Sequence, residues 1–365
     1  MRRIGIILYQ NLRYAPFLKT YEKIVSDIEG AEYDIIYLNR IPELDEIEDD
    51  RHIPVNWIKA GRNRQSTFEK LINAVNFSFF TRKILVKKHY DFIIVLTMMP
   101  AVLLGDYLVK RYSGRYIVDI RDYTKEMNSI YFHLEKAVIK HSANSIISSP
   151  GFVDFLPSHN YCIMHNLNSV NTHDFKLQKR PVSERIIISY IGSIQYATQC
   201  KKMIDLVLKD DRFEFIFFGN EPKGTEVSEY VLNCNCNRVR LMGSFLPADK
   251  ERIYCASDLI FNCYGNDSLL VQKAISNKYY DAAIYKKPLL VSPKTIMSEL
   301  SHNFAFSIDL DQAESLSPLW EWYQGIDSTA FEAYTNSLII NAEKDNKVTE
   351  DTIKKTIYER TKHRG

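Results

Sequence analysis

No hydrophobic run in these 365 residues is long enough to cross a bilayer as a helix. The longest nearly apolar stretch, Phe92–Gly105, has 14 residues and contains Pro100, whereas a span needs about 20. The apolar residues Ile4–Tyr9 after Arg2 and Arg3 are too few for a signal-peptide core and read as a strand. Cysteine is scarce: six thiols in so long a chain do not form a disulfide framework, so a reduced, cytoplasmic setting is expected. Cys234 and Cys236 are too close for zinc spacing and have no matching pair nearby. Cys162 and His165 do not complete a ligand set either, so no metal is expected. Excess charge of one sign is also missing. With 47 basic and 45 acidic residues the net charge is +2, which excludes a general polyanion binder, and no nucleic-acid recognition motif is present. The 13 glycines never fall into the three-glycine dinucleotide pattern, which argues against a nicotinamide enzyme.

What is present is an alternation of short apolar runs with helical stretches, the pattern of α/β folds with parallel sheets. In the first half the expected strands are Ile4–Tyr9, Tyr33–Leu38, Phe92–Leu96, Tyr116–Asp119, Ser145–Ser148 and Tyr161–Met164. Helices are expected at Pro16–Ile28, Ala101–Tyr112 and Tyr131–Ser142. The polar stretch Asn171–Arg185, with Pro181, reads as a linker. The alternation then restarts with strands at Arg185–Ile191, Phe213–Phe218, Val239–Met242, Leu259–Asn262 and Pro288–Ser292. Two α/β halves in this order predict two facing Rossmann-like domains with a cleft between them, at 1–178 and 179–327. The tail 328–365 is expected to be helical and to pack back on the first domain.

In such sheets ligands bind at the carboxyl ends of the strands, where helix N-termini offer N–H groups to anions. Gly192-Ser193 follows one strand, and backbone without a Cβ plus a hydroxyl there suits a phosphate. Gly219-Asn220-Glu221 follows the next strand and would line the same cleft. Either glycine also fits a plain turn. Asn277-Lys278-Tyr279-Tyr280-Asp281 is more specific. Lys278 and Asp281, three apart, share a helix face, so the cation can meet a diphosphate and the carboxylate a ribose diol. A solvated ion pair fits the bare pattern equally well.

The ordered set of these pieces resembles the GT-B glycosyltransferases, and within them the nucleotide-sugar enzymes of bacterial capsule and exopolysaccharide assembly. In the second half it comprises Ile191-Gly192-Ser193, Lys201-Lys202, Phe218-Gly219-Asn220, Met242-Gly243 with Leu246-Pro247, Tyr254-Cys255-Ala256-Ser257-Asp258, and Asn277–Asp281. The first half supplies Val118–Asp122, Leu134-Glu135-Lys136, Ser148–Phe152 and His165-Asn166. The resemblance implies transfer from a UDP- or GDP-linked sugar bound by the second domain. Gly192, Ser193 and Lys278, with Lys201 or Lys202, would meet the diphosphate. Tyr279 lies in the same motif, Asp281 would take the ribose, and the Asn220-Glu221 and Phe245-Leu246 loops would hold the base. This chain departs from the pattern at Lys273, where many relatives carry a first glutamate, and at Glu221, where a second glycine stands. Thr97-Met98 replaces the usual first-domain histidine.

An acceptor hydroxyl needs a base in an inverting reaction; Asp122 and His133 are the candidates, with Arg121 orienting nearby. The loop after the first strand offers Arg13 and Tyr14 to the acceptor, a glycan or a polyprenyl-diphosphate-linked glycan. Between Lys59 and Tyr90, Lys59, Arg62, Arg64, Lys70, Arg82, Lys83, Lys87 and Lys88 interleave with phenylalanines and aliphatics. That mixture suits peripheral contact with an anionic inner membrane, or a core helix with a charged outer face. The expected activity is glycosyl transfer in surface polysaccharide synthesis. A GT-B-type nucleotide-sugar epimerase and a degenerate, non-catalytic scaffold are its rivals.

Overall fold

A computed structural model describes residues 1–45, 49–57, 67–123, 125–167, 175–222 and 226–362. Lys59, Arg62 and Arg64, and residues 171–174 of the expected linker, lie outside the described residues. The chain divides into two compact units, Met1–His165 with Asp345–Gly365, and Asn166–Lys344.

The first unit runs β1 (Arg2–Leu8), α1 (Leu18–Ser26), β2 (Ala31–Asn39), β3 (His52–Asn56), α2 (Thr67–Lys88) and β4 (Phe92–Leu96). It continues with α3 (Met98–Leu103), α4 (Gly105–Arg111), β5 (Tyr116–Ile120), α5 (Ser129–His141), β6 (Asn144–Ile147) and β7 (Tyr161–Ile163). All strand pairs are parallel, in the order β3-β2-β1-β4-β5-β6-β7. β4 and β5 are buried along their whole length, as continuous apolar runs must be when helices cover both faces of a sheet. α5 starts where the Asn128 side chain accepts from the Ile130 and Tyr131 amides. The expected Ala101–Tyr112 helix is two, α3 and α4, which meet at Leu104.

The second unit begins with β8 (Ile186–Ile191), α6 (Ala197–Lys209), β9 (Phe213–Phe218), α7 (Val227–Cys234) and β10 (Val239–Leu241). It goes on through α8 (Lys250–Ala256), β11 (Leu259–Asn262), α9 (Leu269–Lys273), α10 (Asn277–Ile284) and β12 (Leu289–Val291). α11 (Ile296–Leu300), β13 (Ala305–Ser307) and α12 (Ser317–Gln324) complete its core. The six strands are again all parallel, ordered β10-β9-β8-β11-β12-β13. Each sheet therefore reverses its winding once, at β1/β4 and at β8/β11, and such switch points are where open α/β sheets hold ligands.

Two strands escaped the sequence pattern, and both are edges. β3 carries Pro54, which an edge tolerates and a central strand does not; β13 has only three residues. The stretch read as a linker is, from Phe175 on, built into the second unit. Leu177 is buried there, its amide donates to Glu332, and Lys179 donates to the Gln324 and Ile326 carbonyls. The N-terminal stretch of the first unit runs to His165, where the sequence reading set the boundary at 178. The tail is one helix, α13 (Ser328–Thr361), shared by the units. Phe331, Ile339 and Ala342 enter the core of the second, and Ile353 and Ile357 that of the first.

The loops after β8, β9 and β10 are stitched together by backbone. The Gly192 amide donates to the Phe218 carbonyl at 2.8 Å and the Gly219 amide to the Gly243 carbonyl at 2.7 Å. Gly219 has φ +142°, and a Cβ there would sit 1.9 Å from the Gly192 carbonyl oxygen. Gly243 has φ +76° but open space around it. Gly219→Ala should cost more than about 3 kcal/mol in urea unfolding, through clash and strain together. Gly243→Ala should cost only about 1 kcal/mol, for φ alone. Equal losses would show that backbone approach is not what fixes Gly219.

Candidate functional site

The second unit's site grows from the switch point. Gly192 (φ +111°) lies just past β8 and Tyr264 just past its neighbour β11. Lys278, in the first turn of α10, reaches between them. Its Nζ donates to the Tyr264 hydroxyl at 2.5 Å and lies 5.0 and 5.2 Å from the Tyr190 and Tyr264 ring centres. Tyr196 stacks on Tyr264 at 4.0 Å, fixing that ring. A Cβ at Gly192 would stand in contact with the ammonium at 3.7 Å, and the φ of +111° is one that residues with a side chain rarely adopt. Among the described residues no carboxylate lies within ion-pair distance of Lys278. Burial pulls its pKa down to about 8, with Asp281 opposing from farther off. A desolvated cation between π faces has an unfilled demand for an anion.

The sequence-named residues divide around this centre. Gly192 and Lys278 lie side by side, and Ser193, next along the chain, is exposed. Asp281 is 3% exposed, and its Oδ2 already holds Lys250 at 2.6 Å and the Tyr254 hydroxyl at 3.3 Å. Tyr279 is a core residue whose hydroxyl donates to the Leu300 carbonyl. Glu221 caps α7, accepting from the Val227 and Ser228 amides, so its carboxylate is committed to a helix N-terminus. Asn220 is exposed beside it, its carbonyl accepting from the Ile194 amide. Lys201 pairs with Glu226 at 3.5 Å and Lys202 with Asp311, so each has a carboxylate partner that Lys278 lacks. In the loop after β10, Leu246 is exposed, whereas Phe245 packs half-buried against the core. Tyr190, Tyr196, Tyr264 and Lys250 were missed. Strand-end position was the available signal for Tyr264, but pairing it with Tyr190 needs the β8–β11 adjacency.

In the first unit, Arg121 is buried and ion-paired with Asp119 at 2.7 Å, its guanidinium 4.6 Å over the Phe17 ring. Its Nε donates to Asp119 rather than standing free beside the expected base, Asp122. Asp122 and His133 are both exposed, and no hydrogen bond or ion pair joins them among the described residues. Surrounding protein nevertheless raises the Asp122 pKa by desolvation, with Arg121 opposing. Arg13 and Tyr14 are exposed on a loop gathered by Asp45, which accepts from Asn11 Nδ2 and from the Leu12 and Arg13 amides. His165 is tied to α13 through Asn346 and Asp345. Thr97, at the end of β4 where a histidine was looked for, is β-branched yet held at φ +74°, a strained backbone at a switch point. Among the described residues, no three His, Cys, Asp or Glu side chains gather where they could hold a metal ion.

The unfolded chain keeps the Lys278 proton up to its ordinary lysine pKa, while the folded chain releases it near pH 8. The cost of burying the charge is therefore present in full below pH 8 and is relieved as pH rises from 8 towards 10.5. Relative to Lys278→Met, the wild type should gain stability over that window in urea unfolding. Parallel curves would show that the ammonium is not desolvated.

No protein-family model matches the chain, and no curated protein sequence does. Solved structures do. Sucrose-phosphate synthase from Thermosynechococcus elongatus superposes with TM-score 0.63 at 11% identity, over 99% of this chain and 94% of that one. HepE from Anabaena in complex with UDP gives 0.66 at 12%, over 97% and 99%. A UDP-N-acetylglucosamine 2-epimerase gives 0.56 at 11%, over 92% and 91%. At these identities the likeness is one of fold: two doubly wound parallel units and a long C-terminal helix, the GT-B architecture.

Proposed function

We propose that the protein is a glycosyltransferase that moves a sugar from a nucleotide-sugar donor to a glycan or lipid-linked glycan. The observation that carries this reading is Lys278, a desolvated ammonium with no carboxylate within ion-pair distance among the described residues, opposite a glycine at the switch point of the second sheet. Breaking the anomeric C–O bond leaves negative charge on a nucleoside diphosphate while the sugar becomes oxocarbenium-like. Lys278 would neutralise that charge as it grows, and Gly192 would let backbone approach the phosphates. The reading assigns this work to the ammonium rather than to a metal ion. HepE's complex with UDP, and another with UDP and glucose, support a donor of that class. The ribose expected at Asp281 would share its carboxylate with Lys250 and Tyr254. Asp122, whose pKa desolvation has raised towards the useful range of a general base, is the first candidate to deprotonate the acceptor; His133 is the second. Arg13 and Tyr14 would meet the acceptor. The expected setting is surface polysaccharide synthesis at the inner face of a membrane.

The fold shared with the 2-epimerase keeps one alternative, interconversion of the nucleotide sugar itself. It would proceed without an acceptor, whereas transfer requires one. Calorimetric titration with UDP and GDP should show binding of at least one, weakened about ten-fold (about 1.4 kcal/mol) in Lys278→Ala. Wild-type affinity should fall as pH rises through about 8, where free Lys278 loses its proton. Absence of binding by either nucleotide, or equal affinity in the variant, would overturn the reading.

A further inference from the structure

Helix α2 has one face that the protein covers and an apolar one that it leaves exposed. Asn73, Phe77, Thr81 and Leu85 recur every four residues and are buried. On the opposite side Phe68, Leu71, Val75 and Phe79 make an apolar stripe at helical spacing, and Val86 continues that side beyond Arg82; all five apolar side chains are exposed, Phe68 69%, Leu71 61% and Val75 62% accessible. A helix on the surface of a water-soluble protein places polar residues there. A contiguous apolar stripe of this kind marks a surface that meets something.

Charge says what. α2 carries five basic residues and one acidic. Asp106 holds Arg82 and Asp34 holds Lys88, but Lys70, Lys83 and Lys87 have no acidic partner among the described residues. Lys83 lies 4.3 Å from the Phe79 ring centre, at the edge of the stripe. At the other end Val86 belongs both to the stripe and to a cavity of about 360 Å³ between α2 and α4, lined also by His89, Tyr107, Arg111 and Arg115. Arg111 is exposed there, and no hydrogen bond or ion pair engages its guanidinium among the described residues.

We propose that this face is a docking surface for an anionic phospholipid bilayer. The Phe68–Val86 stripe would enter the acyl boundary, Lys83 and Lys87 beside it would meet the headgroup layer, and Arg111 would take a lipid phosphate in the cavity. Apolar side chains flanked by unpaired cations match a surface that is apolar inside and anionic outside. A second copy of the chain matches poorly, because two such faces would oppose lysine to lysine. The proposal rests on the membrane part of the reading above and identifies the face that would serve it.

Flotation of the full chain with vesicles tests it without donor or acceptor, so nucleotide binding stands or falls separately. The wild type should float with phosphatidylcholine vesicles containing one-third phosphatidylglycerol and not with phosphatidylcholine alone. Val75→Asp with Phe79→Asp should weaken vesicle binding at least ten-fold while leaving the thermal midpoint and UDP affinity unchanged, since both side chains are exposed. Arg111→Ala should weaken it less. Several results would overturn the proposal: no flotation, flotation unchanged in the double variant, or a solution dimer that the same variant dissociates, which would give the face to a second copy.

Discussion

Burying an ammonium without a counter-ion is unfavourable, and among the described residues the second unit does so where its sheet reverses direction. Three tyrosines make it tolerable. The Tyr264 hydroxyl accepts one hydrogen bond from Lys278, the Tyr190 and Tyr264 rings present their negative faces, and Tyr196 holds Tyr264 in place. None of these neutralises the charge. The nearest acid on the same helix, Asp281, is itself satisfied by Lys250. Much else in the unit follows from keeping this cation exposed to one side. The glycine at 192 withholds a Cβ from it, and the glycine at 219 lets the neighbouring loop close against the carbonyl of 192. Both conformations are accessible to glycine and strained for other residues.

The parts of this arrangement that could be read from the chain are those set by local pattern. The central strands are largely apolar runs, and β8 and β9 run straight into glycine, so strand number, direction and loops were legible, and with them Gly192 and Lys278. Edge strands were not: β3 hides behind Pro54 and β13 is too short to show a period. Side chains whose duty is set by distant neighbours were also misjudged. Glu221 follows a strand at the expected place, yet its carboxylate caps a helix that begins six residues later. Arg121 stands beside the candidate base but turns to Asp119. Tyr190 looked like one more buried strand residue, because its role depends on β8 lying beside β11, which periodicity does not report.

The first unit shows the same economy at its own strand ends. Asp45 collects two backbone amides and the Asn11 side chain, giving the exposed Arg13–Tyr14 loop a fixed base. The Asp119–Arg121 pair is buried beside it under the Phe17 ring. A buried pair of this kind adds little net stability but is costly to break from one side, so it positions the chain that leads to Asp122. Strain at Thr97 is sustained by the hydrogen bond that the Thr97 amide donates to the Asp119 carbonyl. These devices hold loops that carry exposed polar side chains, which is where chemistry on such scaffolds resides.

Helix α13 has a consequence for how the molecule comes into being. Its Ile353 and Ile357 fill the core beneath β1 and β2, and Lys354 reaches Asp27. The opening strands of the chain leave the ribosome hundreds of residues before those side chains are made. Until then the first sheet has a gap in one of its apolar layers, while the second unit already has most of its own core. Assembly during synthesis therefore completes the later-made unit ahead of the earlier one, and the nascent N-terminal sheet is the part that depends on chaperone shelter in the interval.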